Sequence, residues 1–191
     1  MSSLDDLLAD LISENESRAE VAASELAQLG ETAFPRLESI LQSSVPDQRW
    51  WAVRTLAQMV KPPLDWLIHA LDDPSNEVRE AAALALTSHP TEKAVSGLVR
   101  VLSDVDGMLG TLAANALTRI GKSAVPELLE AYQDAQPQAR IQIMRSLAEI
   151  RDQRTISLML KATDDDSAML NYWAKEGLER LGLNMVNIKL E

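Results

Sequence analysis

The sequence predicts an all-α fold, a right-handed α-solenoid of six two-helix repeats, and three observations carry that prediction. Leu7, Leu37, Leu67, Leu98, Leu128 and Met159 form a column spaced 30, 30, 31, 30 and 31 residues apart. Leu26, Leu56, Leu86, Leu117, Leu147 and Leu178 form a second column with the same spacings in the same order. The two columns lie 19 residues apart in every repeat, so both one-residue insertions fall in the joints, between 86 and 98 and between 147 and 159. A rigid unit with variable links behaves in this way. A helix pair of about 30 residues cannot bury both sides of its apolar stripe alone, and stacking on neighbours completes the core.

The period divides residues 1–191, read as one domain, into repeats of about 3–32, 33–62, 63–92, 93–123, 124–153 and 154–182, with a tail over 183–191. In the first repeat Leu4, Leu7, Leu8, Leu11 and Ile12 make a helical stripe, and Ser3 with Asp6 is a capping pair. Its turn is the polar Glu14 to Ser17, and Gly30 follows the second helix as a left-handed stop. Pro35, Pro62, Pro63 and Pro126 lie at the starts of first helices, where a missing N–H costs nothing. In the third repeat Val78, Ala82, Ala85, Leu86 and His89 make the second-helix stripe. The remaining turns are Ser43 to Asp47, Asp72 to Asn76, Ser103 to Gly107, Asp134 to Pro137 and Asp164 to Ser167, and Gly121 and Gly182 repeat the role of Gly30. Ala22, Ala52, Ala82, Ala113 and Ala174, interrupted only by Ile143, stand four before the second column and let neighbouring helices approach closely. The tail, Leu183 to Glu191, is too short for a repeat and too apolar for a solvated end. It caps repeat six, adds as a strand, docks on a partner or marks a cut in a longer protein.

Composition excludes several classes of function. The formal charge is −11, there is no Cys, and the only imidazoles are His69 and His89. Disulfide frameworks, zinc fingers, iron–sulfur clusters and Cys nucleophiles lack their raw material. The acidity disfavours nucleic acid and anionic membranes as partners. No stretch approaches the ~18 apolar residues of a membrane span, and the first 30 residues lack a leader pattern, so a cytoplasmic protein is expected. Nine acidic and two basic residues fall within residues 1–46, which offers an acidic face to a basic partner or simply solubilises an end repeat. The triplet Asp164-Asp165-Asp166 lacks the Gly and distal Glu of a calcium loop and reads as a solvated turn.

Leu67 to Val95, centred on Leu-Asp-Asp-Pro-Ser-Asn-Glu-Val-Arg-Glu-Ala-Ala-Ala-Leu-Ala-Leu, resembles a HEAT repeat of the short bacterial kind named after the phycobilisome lyases. The resemblance covers nearly the whole chain and implies an armadillo-like superhelix. It also implies a ladder of hydrogen bonds along the stack, made by a turn Asp and an Arg six residues on. Asp73 with Arg79 and Asp134 with Arg140 match that pattern. Asp104 and Asp165 face Gly110 and Asn171, and Arg49 faces Ser43, so interruptions are expected in repeats two, four and six. The family's iron-dependent hydroxylase implies His-Glu ligand pairs, which this sequence lacks.

In such superhelices the second helices line the concave side. Counted from the second column, Trp50-Trp51 and Tyr172-Trp173 occupy identical register in repeats two and six, 122 residues apart. Arg54 and Arg145 share the register two before the column. The functional reading is a partner-binding concave groove made by Trp50, Trp51, Arg54, Arg145, Tyr172 and Trp173, a composition favoured at interface hot spots. The other reading makes Trp51 and Trp173 core plugs beside small residues and pairs the arginines with carboxylates. Trp66, on a first helix, is expected half-exposed on the convex side.

No Ser-His-Asp set, phosphate loop or metal cluster is visible, so no catalytic residue, metal or cofactor is expected. The leading function is a non-catalytic scaffold or adaptor for another protein, as a monomer or part of a larger complex. The alternative, implied by the resemblance, is a bilin lyase or phycobiliprotein chaperone holding a bilin tetrapyrrole between aromatic residues and arginines. A third class, a nucleic-acid enzyme, requires a basic groove.

Overall fold

The structure is a computed structural model that describes residues 3–102 and 107–183. Among these residues there are twelve α-helices and no strand. They are α1 (Leu4–Leu11), α2 (Glu16–Leu29), α3 (Phe34–Leu41), α4 (Pro46–Gln58), α5 (Leu64–Ala70), α6 (Asn76–Ser88), α7 (Val95–Val101), α8 (Gly107–Ile120), α9 (Val125–Asp134), α10 (Pro137–Ile150), α11 (Ile156–Ala162) and α12 (Ala168–Arg180). The chain groups into two compact units, one ending at His89 and one beginning at Pro90, with three helix pairs in each. The turn around Asp104 and the tail from Asn184 onward lie outside the described residues.

Both units are built in the same way. In the first, α2 packs on α4 and α4 on α6, while α1, α3 and α5 each pack on the second helix of their own pair. In the second, α8, α10 and α12 form the corresponding layer, with α7, α9 and α11 outside it. The two sequence columns are the core. Leu7 is 5% exposed and the other eleven residues are 0% exposed. The small column is equally buried, from Ala22 to Ala174, and Ile143 is accommodated at 1% exposure.

Local chemistry fixes the helix ends. Ser3 and Asp6 form a reciprocal capping box: the Asp6 N–H donates to Ser3 Oγ at 3.1 Å and the Ser3 N–H to Asp6 Oδ2 at 3.0 Å. Gly121 and Gly182 end their helices at φ of 84° and 82°, a region that side chains disfavour. Repeat five has no glycine there, and Arg151 takes φ 57°, ψ 53° in its place. A non-glycine residue pays roughly 1 kcal/mol for that conformation. Arg151→Gly is therefore expected to stabilise the protein by about 1 kcal/mol, read as a melting temperature raised by about 2–4 °C.

The polar ladder runs along the stack at one rung and is local at the others. The Asp73 carboxylate takes its side-chain hydrogen bonds from Arg49 of the preceding repeat, with Nε and Nη2 each 2.7 Å from a carboxylate oxygen, while the charge of Arg79 in its own repeat also favours the ionised form. Arg49 also donates to the Ser43 carbonyl at 2.9 Å, so the interruption expected in repeat two is absent. Arg79 reaches the Asp73 carbonyl oxygen at 2.8 Å. Arg140 does not bond Asp134: it donates to the carbonyls of Tyr132 (3.2 Å) and Gln133 (2.8 Å) and lies over the Tyr132 ring. Asn171 donates to the Thr163 carbonyl. The shared duty of this register, seven before the second column, is to satisfy carbonyls left open where the first helix ends. Gly110 holds the position in repeat four, where a Cβ would sit 3.4 Å from the Leu102 oxygen, so the backbones approach closely instead.

Burial pushes the Asp73 carboxyl up, but hydrogen bonds from Arg49 and the Ser75 N–H outweigh it and leave it below the ordinary range. At Asp152 the Arg154 side chain, followed by its backbone N–H, holds the carboxyl at about 2. Arg154 also donates to the Lys122 carbonyl of the preceding repeat at 2.8 Å. Because the folded value lies below the unfolded one near 3.8, this pair stabilises the fold above about pH 4 and stops doing so as pH falls towards 2. Arg154 is half-exposed, so solvent screens the pair and keeps its contribution small. The stability gap between wild type and Asp152→Asn is expected to be full at pH 7, to shrink below about pH 4 and to close only as pH falls through about 2, as urea titrations at each pH would read.

Candidate partner-binding faces

In the first unit, α2 and α4 run side by side and leave a cleft of about 1350 Å³ at their N-terminal ends. Trp50 and Trp51 are consecutive on α4 and point about 100° apart, so one enters the core while the other does not. Trp51 is 5% exposed, with most of its ring in the core and the remainder among the residues that line the cleft. Trp50 is half-buried and stands edge-on to Trp51, with centroids 4.9 Å apart and planes at 84°. Its indole thus packs on Trp51 and lines the cleft.

Arg54, one turn further along α4, lies 5.3 Å from the Trp50 centroid and 6.0 Å from that of Trp51. Its Nε donates to Glu20 Oε2 of α2 at 2.8 Å. The arginine thus bridges two repeats while stacked on an aromatic face, an interaction worth ~0.5–1 kcal/mol at a partly exposed site. The remaining charged lining of the cleft is acidic: Glu14, Glu16, Asp47 and Glu77 join Glu20. Val21, 58% exposed, adds an apolar edge. Glu16, Asp47 and Glu77 each sit in the first turn of a second helix, where a carboxylate favours the helix start. The sequence put the aromatic residues in one register, and this rim was missed. The signal was present, since all three fall nine or ten before the second column.

In the second unit the equivalent face is held by polar bridges between α8 and α10. Arg145 Nη2 donates to Asn115 Oδ1 at 3.1 Å and its Nε to Glu149 at 3.2 Å, while Gln142 Nε2 donates to Thr111 at 3.2 Å. The Ser146 hydroxyl donates to the Ala114 carbonyl at 3.1 Å. Arg145 lies 5.9 Å from the Trp173 centroid, and Tyr172 stands edge-on to Trp173 at 5.1 Å. Tyr172 is 53% exposed and Trp173 half-buried. Each unit thus places an arginine near a Trp ring, but by different routes: Arg54 and Trp50 share α4, whereas Arg145 of α10 reaches Trp173 on α12 of the next repeat. Both arginines meet the expectation of carboxylate pairing. Trp66, on α5, is half-exposed and edge-on to Phe34 at 5.6 Å, on the opposite layer from Trp50.

A family model described as HEAT repeats matches residues 35–117 and, in an overlapping placement, 64–137. The chain belongs to the HEAT-repeat family. The segment Leu67 to Val95 that carries the resemblance lies within both matches. This HEAT-repeat chain is 31% identical over 97 residues to the phycocyanobilin lyase subunit beta of Nostoc sp., covering 51% of this chain and 48% of that protein. It thus spans about half the length of the curated relative it matches. Among solved structures it is similar to the complex of CpcE and CpcF of phycocyanin lyase from Nostoc sp., with a TM-score of 0.60 and 27% identity over 75% of this chain and 96% of that one. A designed armadillo repeat protein in complex with the peptide (KR)4 shares the fold at a TM-score of 0.57 and 18% identity, over 94% and 100% of the two chains. No helix among the described residues is long and apolar enough to cross a membrane.

Proposed function

We propose that the protein is a non-catalytic cytoplasmic scaffold that binds another protein through the layer of second helices. The observation that carries this reading is the edge-on aromatic pair that recurs at the same register in each unit, Trp50 with Trp51 and Tyr172 with Trp173, with Trp50 lining a large cleft in one unit and Tyr172 exposed in the other. Rigidly held aromatic side chains on a preformed surface are what dominate interface energies. The groups gathered at each face are bridging arginines, amides and carboxylates, arranged to hold repeats together and present a surface. Affinity capture from the source cell with wild type beside a Trp50→Ala, Tyr172→Ala variant tests the reading. A partner retained by wild type and lost by the variant supports it, and capture unchanged by the variant removes it.

The second reading is a bilin lyase subunit or phycobiliprotein chaperone, favoured by the likeness to the two lyase proteins of Nostoc sp.. A bilin tetrapyrrole would need cations for its propionates. Arg54 and Arg145 are already bonded to Glu20 and to Glu149 with Asn115, and five carboxylates line the larger cleft. The residues present therefore fit that ligand poorly in the first unit. A bilin absorbance change on mixing with phycocyanobilin, or transfer to an apo-phycobiliprotein, would favour the lyase reading.

A further inference from the structure

We infer that the cleft of the first unit takes a Lys- or Arg-bearing segment of the partner protein, with one cationic side chain seated on Trp50 among the carboxylates of Glu16, Glu20, Asp47 and Glu77. The inference rests on the scaffold reading and names the chemistry of its partner. Two independent observations converge on it. The first is charge: residues 1–89 hold 15 acidic and 6 basic residues, so nine of the eleven net negative charges fall on this unit, and the cleft lining has five carboxylates to one arginine. The carboxylates alone have a local cause at the helix starts. The second observation has none: a Trp face opens into the middle of them, and the protein's own guanidinium already occupies that face, 5.3 Å from the ring and bonded to Glu20. Arg54 is an internal stand-in for the ligand. It shows the atoms that a cation would use, an indole face and a carboxylate oxygen in reach of the same group. Val21 beside it supplies apolar surface for the stem of a long cationic side chain.

This makes a prediction of sign. If the cleft is a cation site, Arg54 competes with the ligand, and its removal frees both Trp50 and Glu20. If the cleft holds an anion, Arg54 is the contact, and its removal weakens binding. Fluorescein-labelled octa-arginine and octa-lysine are titrated against the full chain by anisotropy in 50 mM salt, with octa-glutamate as control. Saturable binding of the cationic peptides is expected, weakened at least tenfold by Trp50→Ala and by the triple variant Glu16→Gln, Asp47→Asn, Glu77→Gln. Arg54→Ala is expected to tighten it severalfold. A triple variant of equal charge change away from the cleft, Glu25→Gln, Glu31→Gln, Glu38→Gln, should change affinity less than threefold, which separates the site from the general acidity of the chain. Absence of saturable binding, weaker binding by Arg54→Ala, or equal losses from the two triple variants would overturn the inference. Should the peptides fail while a captured protein still depends on Trp50, the scaffold reading stands and the basic chemistry of its partner falls. Should the peptides bind as expected while no captured protein depends on Trp50, the scaffold reading falls instead.

Discussion

Asp73→Ala is expected to destabilise the protein by about 3 kcal/mol, measured as a lowered urea midpoint with little change in slope. The cause is the pair it belongs to. Arg49 and Asp73 have side chains each 10% exposed and share two hydrogen bonds of 2.7 Å across a repeat boundary. Removing the carboxylate leaves a guanidinium out of water with only the Ser43 carbonyl to bond, and breaking a buried pair costs ~3–5 kcal/mol. The Asp73 carboxyl lies below its ordinary value, so its contribution is full at neutral pH and fades as pH falls through the folded value, as acid titration of wild type against variant would show. Replacing both partners, as Arg49→Met with Asp73→Leu, is expected to recover much of the loss, because no charge is then stranded.

Leu56→Ala should cost a similar amount, about 3 kcal/mol. Leu56 belongs to the second column and is fully buried, on the helix that packs on both α2 and α6. Its near neighbours in the sequence, Ala52 and Val53, are short and already buried, so nothing nearby extends into the space left behind. Large-to-small changes of this kind cost ~2–5 kcal/mol, with the upper part of that range where the site cannot collapse. Leu84→Ala is the control. Leu84 is 54% exposed, and its truncation should change stability by less than about 0.5 kcal/mol. Equal losses at the two positions would mean that the columns are not the core.

The fold was legible in the sequence because a solenoid repeats its physics. Each repeat must place the same side chain at the same depth, and twelve positions fixed by spacing alone became the buried core. Glycine stops and Ser3 with Asp6 were readable for the same local reason. The ladder was less legible. A rung joins Arg49 of one repeat to Asp73 of the next, so Ser43 in place of the turn Asp read as an interruption where Arg49 in fact finds its carboxylate one repeat on. The partner register was half legible. Counting from the Leu column put Trp50 and Trp51 together, but only the 100° turn between successive residues, set against the actual helix neighbours, decided that Trp51 is nearly buried while Trp50 is the more open of the two in the cleft lining. The acidic rim was overlooked because Glu16, Asp47 and Glu77 are well explained singly as helix-start residues. Their gathering around one ring is a property of packed α2, α4 and α6.

Trp50 and Trp66 make a matched pair of reporters for the partner face, since both are half-exposed indoles of the first unit, one on the layer of second helices and one on the layer of first helices. Hydroxyl-radical footprinting of the protein alone and with its captured partner compares their oxidation directly. Binding to the second-helix face predicts that Trp50 is protected while Trp66 oxidises at an unchanged rate. Protection of Trp66 with Trp50 still oxidised would contradict it.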